Sequence, residues 1–396
     1  MPRRRRWGPW SVLCAIVAAG LVAACAPPPV PGEPSSPIRR VSLTADGVEI
    51  PAGGVAAGMS SDGRMVLLMA SGDLVDGPDE ANTANAYLRD TATGALRWLR
   101  DPSLDPSTQG VDHVHLLSGD GTRAVVGGTG LDGSGRAGIF LFHGDTASFQ
   151  YMGTLFNPYF NSPEQLSDIS HDGRYVVGTD GFLAAATQVF DAELGQWTEV
   201  YSRDRPGAGP IMRSPKFDRT DGRVIVGVTD GGASLWSVGV DGADPHQIGV
   251  DLGGTSLLET RPVAAGAGCV LVFTQYATRY DYQVVDLTTG EVRAIRSRTF
   301  RRAPEGTASP ANDFSAIDVD DTCRFVVGQS YAWGRLAVVD LTRRTIARAF
   351  PPVWDMGVVL RQLQVSDDGR TLLVSTANPL VGDDTNEQMD AFVRRR

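Results

Sequence analysis

Over 396 residues, 46 Asp and Glu outweigh 36 Lys and Arg, a formal charge of −10. That balance argues against nucleic acid as a partner and serves solubility instead. Helical signals are confined to the first 25 residues, which excludes helical and α/β classes for the rest.

The N-terminus is built for export. Arg3–Arg6 precede an apolar run of about 15 residues, short for a bilayer span and suited to a signal peptide. Val22-Ala23-Ala24-Cys25 closes the run and resembles the bacterial lipobox. The resemblance implies cleavage after residue 24 and a diacylglycerol thioether on Cys25; the plainer alternative is an uncleaved membrane anchor. Arg5-Arg6-Trp7 hints at the twin-arginine route, without clear apolar residues in register after the pair, so both export routes stay open. Residues 25–37 then carry the lipidated cysteine and a proline-rich tether. The expected location is the outer face of the cytoplasmic membrane, with the membrane met through the lipid anchor. Losing the four leader arginines takes the charge from −10 to −14. Lys216 is the only lysine among abundant arginines, a composition of GC-rich, actinobacterial genomes.

From residue 38 the chain repeats. The cassette reads SSDGRMVLL from Ser60, SGDGTRAVVG from Ser118, SHDGRYVVG from Ser170 and RTDGRVIVG from Arg219. It returns as GAGCVLVF from Gly266, DDTCRFVVG from Asp320 and SDDGRTLLV from Ser366. The turn glycines, with Cys323 standing for one, fall at 63, 121, 173, 222, 268, 323 and 369, a period of about 50 residues. Each cassette is a strand, an Asp-Gly turn needing positive φ, and a β-branched or aromatic strand covered on both faces. A second hairpin with an Asp-x-x-x-Gly turn follows from Ala86, Thr187 and Tyr282; from Leu336 Arg344 replaces the glycine. Each unit is thus a meander of strands a, b, c and d. The predicted fold is all-β: a seven-bladed β-propeller of four-stranded antiparallel blades spanning 38–396. The seventh copy lacks strand d, while IRRVSLTADG from Ile38 belongs to no blade. This N-terminal strand is expected to complete blade seven and close the ring.

Cys269 and Cys323 sit in the a–b turns of blades five and six, in an oxidising compartment. Either a disulfide staples the two blades or two thiols pack in neighbouring turns.

The a–b and c–d turns share one face and are short; the b–c and d–a loops share the other and differ in every blade. Variable loops on a rigid scaffold carry function, so the second face is the candidate working surface. It presents aromatic Phe156, Tyr159, Phe160, Tyr331, Trp333 and Trp354. It also presents basic Arg203, Arg205, Arg298, Arg301 and Arg302. Aromatics with arginine suit a protein contact; equally, aromatics in such loops plug the space between blades. The basic run suits an anionic envelope polymer or lipid head groups; equally, it is merely solvated.

The b–c loops of blades one and seven are acidic and alike. The blade-seven segment Leu380-Val381-Gly382-Asp383 through Asp390-Ala391-Phe392-Val393-Arg394 resembles bacterial TolB-type, WD-like propeller repeats. The match is looser in blade one, and elsewhere only the Asp-Gly cassette carries it. The resemblance implies a fold and no activity. Oxygens of Asp76, Asp79, Asp383 and Asp384 are weak calcium candidates. EF-hand spacing is lacking, local bonding to backbone explains the same residues, and no metal or cofactor is assigned.

Catalytic motifs fail on context. Gly128–Gly133 matches G-x-G-x-x-G but leads into a strand, with no helix to receive a pyrophosphate. His113 and His115 share a strand face without an evident third ligand for zinc. His171 reads as the variable residue of a turn cassette. Asp168, Asp218, Asp313 and Asp318 leave a carboxylate pair in the channel open. The reading is a binding or scaffold module for an envelope protein or cell-wall polymer. The alternative is a carbohydrate-active or other envelope enzyme with its site at the channel mouth.

Overall fold

The computed structural model describes residues 38–72, 74–75, 84–153, 166–180, 186–202, 212–220, 223–229, 233–249, 257–276, 280–295, 314–330, 335–350, 360–386 and 388–396. They form seven four-stranded antiparallel sheets, each a meander in sequence order. Blades one to six span 54–98, 110–153, 166–202, 212–248, 257–295 and 314–348. Blade seven takes strands a, b and c from Leu360–Val365, Thr371–Thr376 and Asp390–Arg395, and strand d from Ile38–Arg40. The fold is an all-β, seven-bladed propeller.

The cassette folds by a local rule. In blade one the Ser60 hydroxyl donates to Asp62 Oδ1 at 2.6 Å and accepts the Met65 N–H at 2.8 Å. Asp62 Oδ1 in turn accepts the Arg64 N–H at 2.9 Å. Ser118, Ser170 and Ser366 repeat the pattern with Asp120, Asp172 and Asp368. In blade six Asp320 replaces the serine and accepts Phe325 N–H at 2.6 Å. Cys323 stands in the glycine's place at φ 56°. It is bonded to Cys269, the first residue of strand b in blade five, with the Cα atoms 6.1 Å apart.

Strand b is the buried heart of every blade. Val66, Leu67 and Leu68 are fully buried, as are Val270, Leu271 and Val272. Alternation divides them between two interfaces: Val66 and Leu68 pack with Leu373 and Val393 of blade seven, and Leu67 with Val126 and Phe140 of blade two. Each such side chain contributes about 1.5–3 kcal/mol of burial. A continuously apolar strand is what this two-sided packing requires.

Closure joins the chain's two arms. Ile38 pairs with Arg394, Arg39 with Val393 and Arg40 with Phe392. The Arg40 side chain, 3% exposed, reaches into the blade-seven b–c loop. Its guanidinium bonds Glu49, donates to the Asp383 carbonyl at 2.7 Å, and lies 3.5 Å from both Asp384 and Asp390. Glu49 also accepts from the Thr385 hydroxyl at 2.7 Å, and Ser42 donates to Asp390 at 2.5 Å. The acidic loop therefore clasps the closing strand.

Candidate functional site

Strand a of each blade lines the central channel. In six blades a β-bulge falls three residues before the turn, at Ala57, His115, Ser167, Pro215, Val263 and Ile317. A bulge re-aims the side chain that follows it. That next residue is Asp168 in blade three, Lys216 in blade four and Asp318 in blade six, with Gln364 at the same distance from the turn in blade seven. With Ser61, His171 and Arg219 they line a cavity of about 250 Å³ at the a–b turn end of the channel, to which all seven blades contribute.

These groups bind neighbouring blades. Asp168 accepts the Ile169 N–H at 3.0 Å and, with its other oxygen, the Phe217 N–H of blade four at 2.9 Å. Asp318 repeats this with Val319 and with Val365 of blade seven, both at 2.9 Å. Gln364 accepts the Met59 N–H of blade one at 2.7 Å, and Lys216 donates to the Ser167 carbonyl at 2.5 Å. The channel carboxylates are blade latches.

A second ring lies above the first, made by the residue that precedes the turn's own Asp-Gly or its equivalent. Its backbone groups bond across blades: Ser61 N–H to Gly119 O at 2.7 Å, Asp120 N–H to His171 O at 2.8 Å, and Asp367 N–H to Ser61 O at 2.7 Å. Their side chains meet over the channel. His171 Nδ1 lies 3.3 Å from Ser61 Oγ, spanning blade two where Gly119 has no side chain. Arg219 of blade four bonds Asp367 of blade seven and lies 3.3 Å from Asp321 of blade six.

Burial sets the electrostatics. It pushes Asp318 up to about 6 against the opposing charge of Arg219. Asp321 is pushed up to about 7 by burial, again opposed by Arg219, with the adjacent Asp367 adding to the shift. A carboxyl in that range holds or releases a proton at neutral pH. His115 goes the other way, to about 4, through burial and then the nearby His113.

The residues singled out from sequence fare differently. Cys25, Asp76, Asp79, Asp313 and the eleven loop residues from Phe156 to Trp354 lie outside the described residues. Asp383 and Asp384 are described and both face Arg40. Glu49, Asp384 and Asp390 are grouped closely enough to hold a cation, but the Arg40 guanidinium stands among them and already meets their charge. His113 and His115 have ring centroids 6.2 Å apart, and among the described residues no third ligand joins them. Gly128–Gly133 leads into strand c, Ala137–His143, as a loop. Sequence reasoning placed its candidate working surface on the b–c/d–a face, and it noted the second cassette position only at His171, as the variable residue of a turn. The available signal was its variability, as Ser61, Gly119, His171, Arg219, Asp321 and Asp367, between nearly constant neighbours.

No protein-family model matches the chain, and no curated protein matches it. Solved structures match in fold. The oligogalacturonate lyase of Vibrio parahaemolyticus superposes with a TM-score of 0.55 at 10% identity, over 92% of this chain and 94% of that one. The β-propeller domain of the Trilobed protease from Pyrococcus furiosus gives 0.52 at 13% identity, over 86% and 95%. A putative TolB from Agrobacterium tumefaciens gives 0.38 at 17% identity, over 62% and 81%.

Proposed function

We propose that this chain is a lipid-anchored, extracytoplasmic propeller that binds an envelope protein or cell-wall polymer through its b–c/d–a face. One observation carries the reading. Three polar side chains that converge on the channel are committed to neighbouring blades, Asp168 to Phe217, Asp318 to Val365 and Gln364 to Met59. A channel spent on holding blades together supports a rigid scaffold whose unequal loops do the recognising. Cys25 supplies the anchor in this reading, and residues 26–37 the tether.

Crosslinking of the anchored protein in its own cells tests this. The expected outcome is a specific envelope component captured by wild type and lost when Arg298, Arg301 and Arg302 become Ser. No capture, together with turnover of a soluble glycan, overturns it.

A specific observation favours one second reading, an enzyme acting on an envelope glycan at the channel mouth. Asp321, with a pKa near 7, sits beside Asp367 and Arg219, a set able to hand a proton to a bound substrate. The oligogalacturonate lyase likeness is one of fold alone. Loss of glycan turnover in Asp321→Asn, with folding intact, would establish this reading over the first.

A further inference from the structure

In three blades the arginine just after the a–b turn is neutralised by the aspartate that ends strand c. Arg64 meets Asp90 at 2.8 Å, Arg174 meets Asp191 at 3.0 Å and Arg324 meets Asp340 at 2.7 Å. Register explains the repetition, since Met65, Tyr175 and Phe325 stand directly opposite those aspartates. In blade seven the same register sets Thr371 opposite Arg395. Arg370 therefore has an arginine where its counterparts have an acid. Its side chain is 71% exposed, and its ion partner, Asp368, lies 3.8 Å away.

The adjoining edge of blade six compounds the imbalance. Arg344 takes φ 52° where the matching turns of blades one, three and five use Gly94, Gly195 and Gly290. A left-handed arginine is disfavoured in an exposed turn, so its charge is kept against the backbone's preference. Among the described residues Arg343 reaches only Asp340, at 4.0 Å, which Arg324 already occupies. Arg396 joins the two blades: its guanidinium stacks on Phe325 of blade six, as that blade's own Arg324 does, while its N–H donates to the Arg370 carbonyl within blade seven at 2.6 Å. Among the described residues, Arg344 and Arg395 have no acidic partner. Among the described residues the acids at this corner are Asp320, Asp321, Asp340, Asp367 and Asp368, with Asp321 sharing Arg219 with Asp367. Asp340 is held by Arg324 and Asp367 by Arg219.

The chain enters the propeller at this same corner, because Ile38 pairs with Arg394. We infer that the arginine corner of blades six and seven, on the a–b/c–d face, docks on anionic phospholipid head groups. Guanidinium forks pair with phosphate oxygens in two parallel hydrogen bonds and shed water more readily than ammonium does. The net acidity of the protein opposes approach from bulk solution, so docking depends on the tether. In this respect the inference rests on the lipid-anchor reading. The dozen residues 26–37 span at most about 45 Å, which keeps the corner beside the bilayer. Docking there turns the b–c/d–a loops outward, toward an envelope partner.

The test installs the anchor chemically, so its outcome does not depend on whether cells lipidate Cys25. The chain from Cys25 onward contains every strand of the closed ring. It is coupled through the Cys25 thiol to maleimide lipid in vesicles of phosphatidylcholine, or of equal parts phosphatidylcholine and phosphatidylglycerol. Phenylglyoxal modification of each arginine is then followed by mass spectrometry. On the anionic vesicles Arg344, Arg370 and Arg395 should react at least about fivefold more slowly, an effect of about one arginine's attraction to such a surface. Arg136, exposed on blade two, should react equally on both, and high salt should erase the difference. Equal rates for the corner arginines on both vesicles overturn the inference. Release of a Cys25→Ser protein from cell membranes is the separate measure of the anchor.

Discussion

Arg219, in the a–b turn of blade four, bonds Asp367 in the a–b turn of blade seven, three blades away across the channel. No backbone ladder joins these blades, so the ion pair braces the ring along its diameter. Asp321 shares the same guanidinium at 3.3 Å.

Replacing Arg219 by Met leaves Asp321 and Asp367 facing each other with no counter-charge. The three side chains are about three-quarters buried, between the exposed and buried limits for ion pairs. The expected loss is about 2 kcal/mol, read as a lower urea midpoint. Adding Asp367→Asn should recover most of it, because the residual cost is repulsion between carboxylates. A double variant as unstable as the two single losses summed would show that Arg219 acts by packing alone.

Stability should fall as pH rises through neutrality. Asp318, Asp321 and Asp384 have folded-state values raised to about 6, 7 and 6, with burial the largest cause in each. The folded state then binds protons more tightly than the unfolded chain. That contribution is full below the unfolded carboxylate value near 4 and is lost as pH climbs through 6 and 7. Glu49 works oppositely: the Thr385 hydroxyl, with Arg40 assisting against burial, holds it at about 2, so its contribution disappears only in strong acid. Urea midpoints should therefore be higher near pH 5 than near pH 8. Asp321→Asn with Asp384→Asn should flatten that slope, and an unchanged slope would assign it elsewhere.

The closing strand is short, and Arg40 compensates for its three residues of pairing. Arg40→Met leaves buried Asp384 and Asp390 without their counter-charge, at a cost of about 3–5 kcal/mol. Deleting residues 38–46 should lower the melting temperature at least as far. Trypsin sensitivity at Arg394, paired with strand d in the wild type, should rise in both. A melt unchanged by the deletion would mean that the ring holds without its closing strand.

Much of this architecture is legible in the chain because four blades repeat one local rule and the other three vary it. Ser-x-Asp-Gly encodes a turn whose hydrogen bonds form within six residues, and the apolar run after it can only be a doubly covered strand. Closure was legible from an arithmetic gap, a blade short of one strand and a strand short of a blade. The Cys269–Cys323 bond was open between two outcomes, since Cα separation across blades depends on how the blades splay. The channel was legible in part, since Asp168 and Asp318 were candidates for it and do line it. The rest was hidden because bulges at Ala57, His115 and Ile317 shift strand a by one residue and exchange which side chains point inward. Arg370 shows the same limit. Its lack of an acid is visible only once register sets Thr371 against Arg395.

Gly119 offers the sharpest probe of the mouth. Its φ is not in the left-handed region, so a substitution there is resisted by neighbours and not by backbone strain. A Cβ at 119 would lie 2.3 Å from His171 Nδ1 and 2.7 Å from Ser61 Oγ. Both contacts are impossible, but the imidazole belongs to a side chain that can swing away. Gly119→Ala should therefore break the His171–Ser61 contact and cost about 1–2 kcal/mol, the low end of overpacking. Combined with His171→Ala, the same substitution should cost markedly less, because the principal obstacle is gone. If the double variant is no more stable than Gly119→Ala, the clash is with the Ser61 turn itself, and the backbone bond from Ser61 to Gly119 is what the glycine protects. Amide exchange at Ser61 separates these outcomes: fast exchange marks a broken turn, and slow exchange marks a displaced histidine.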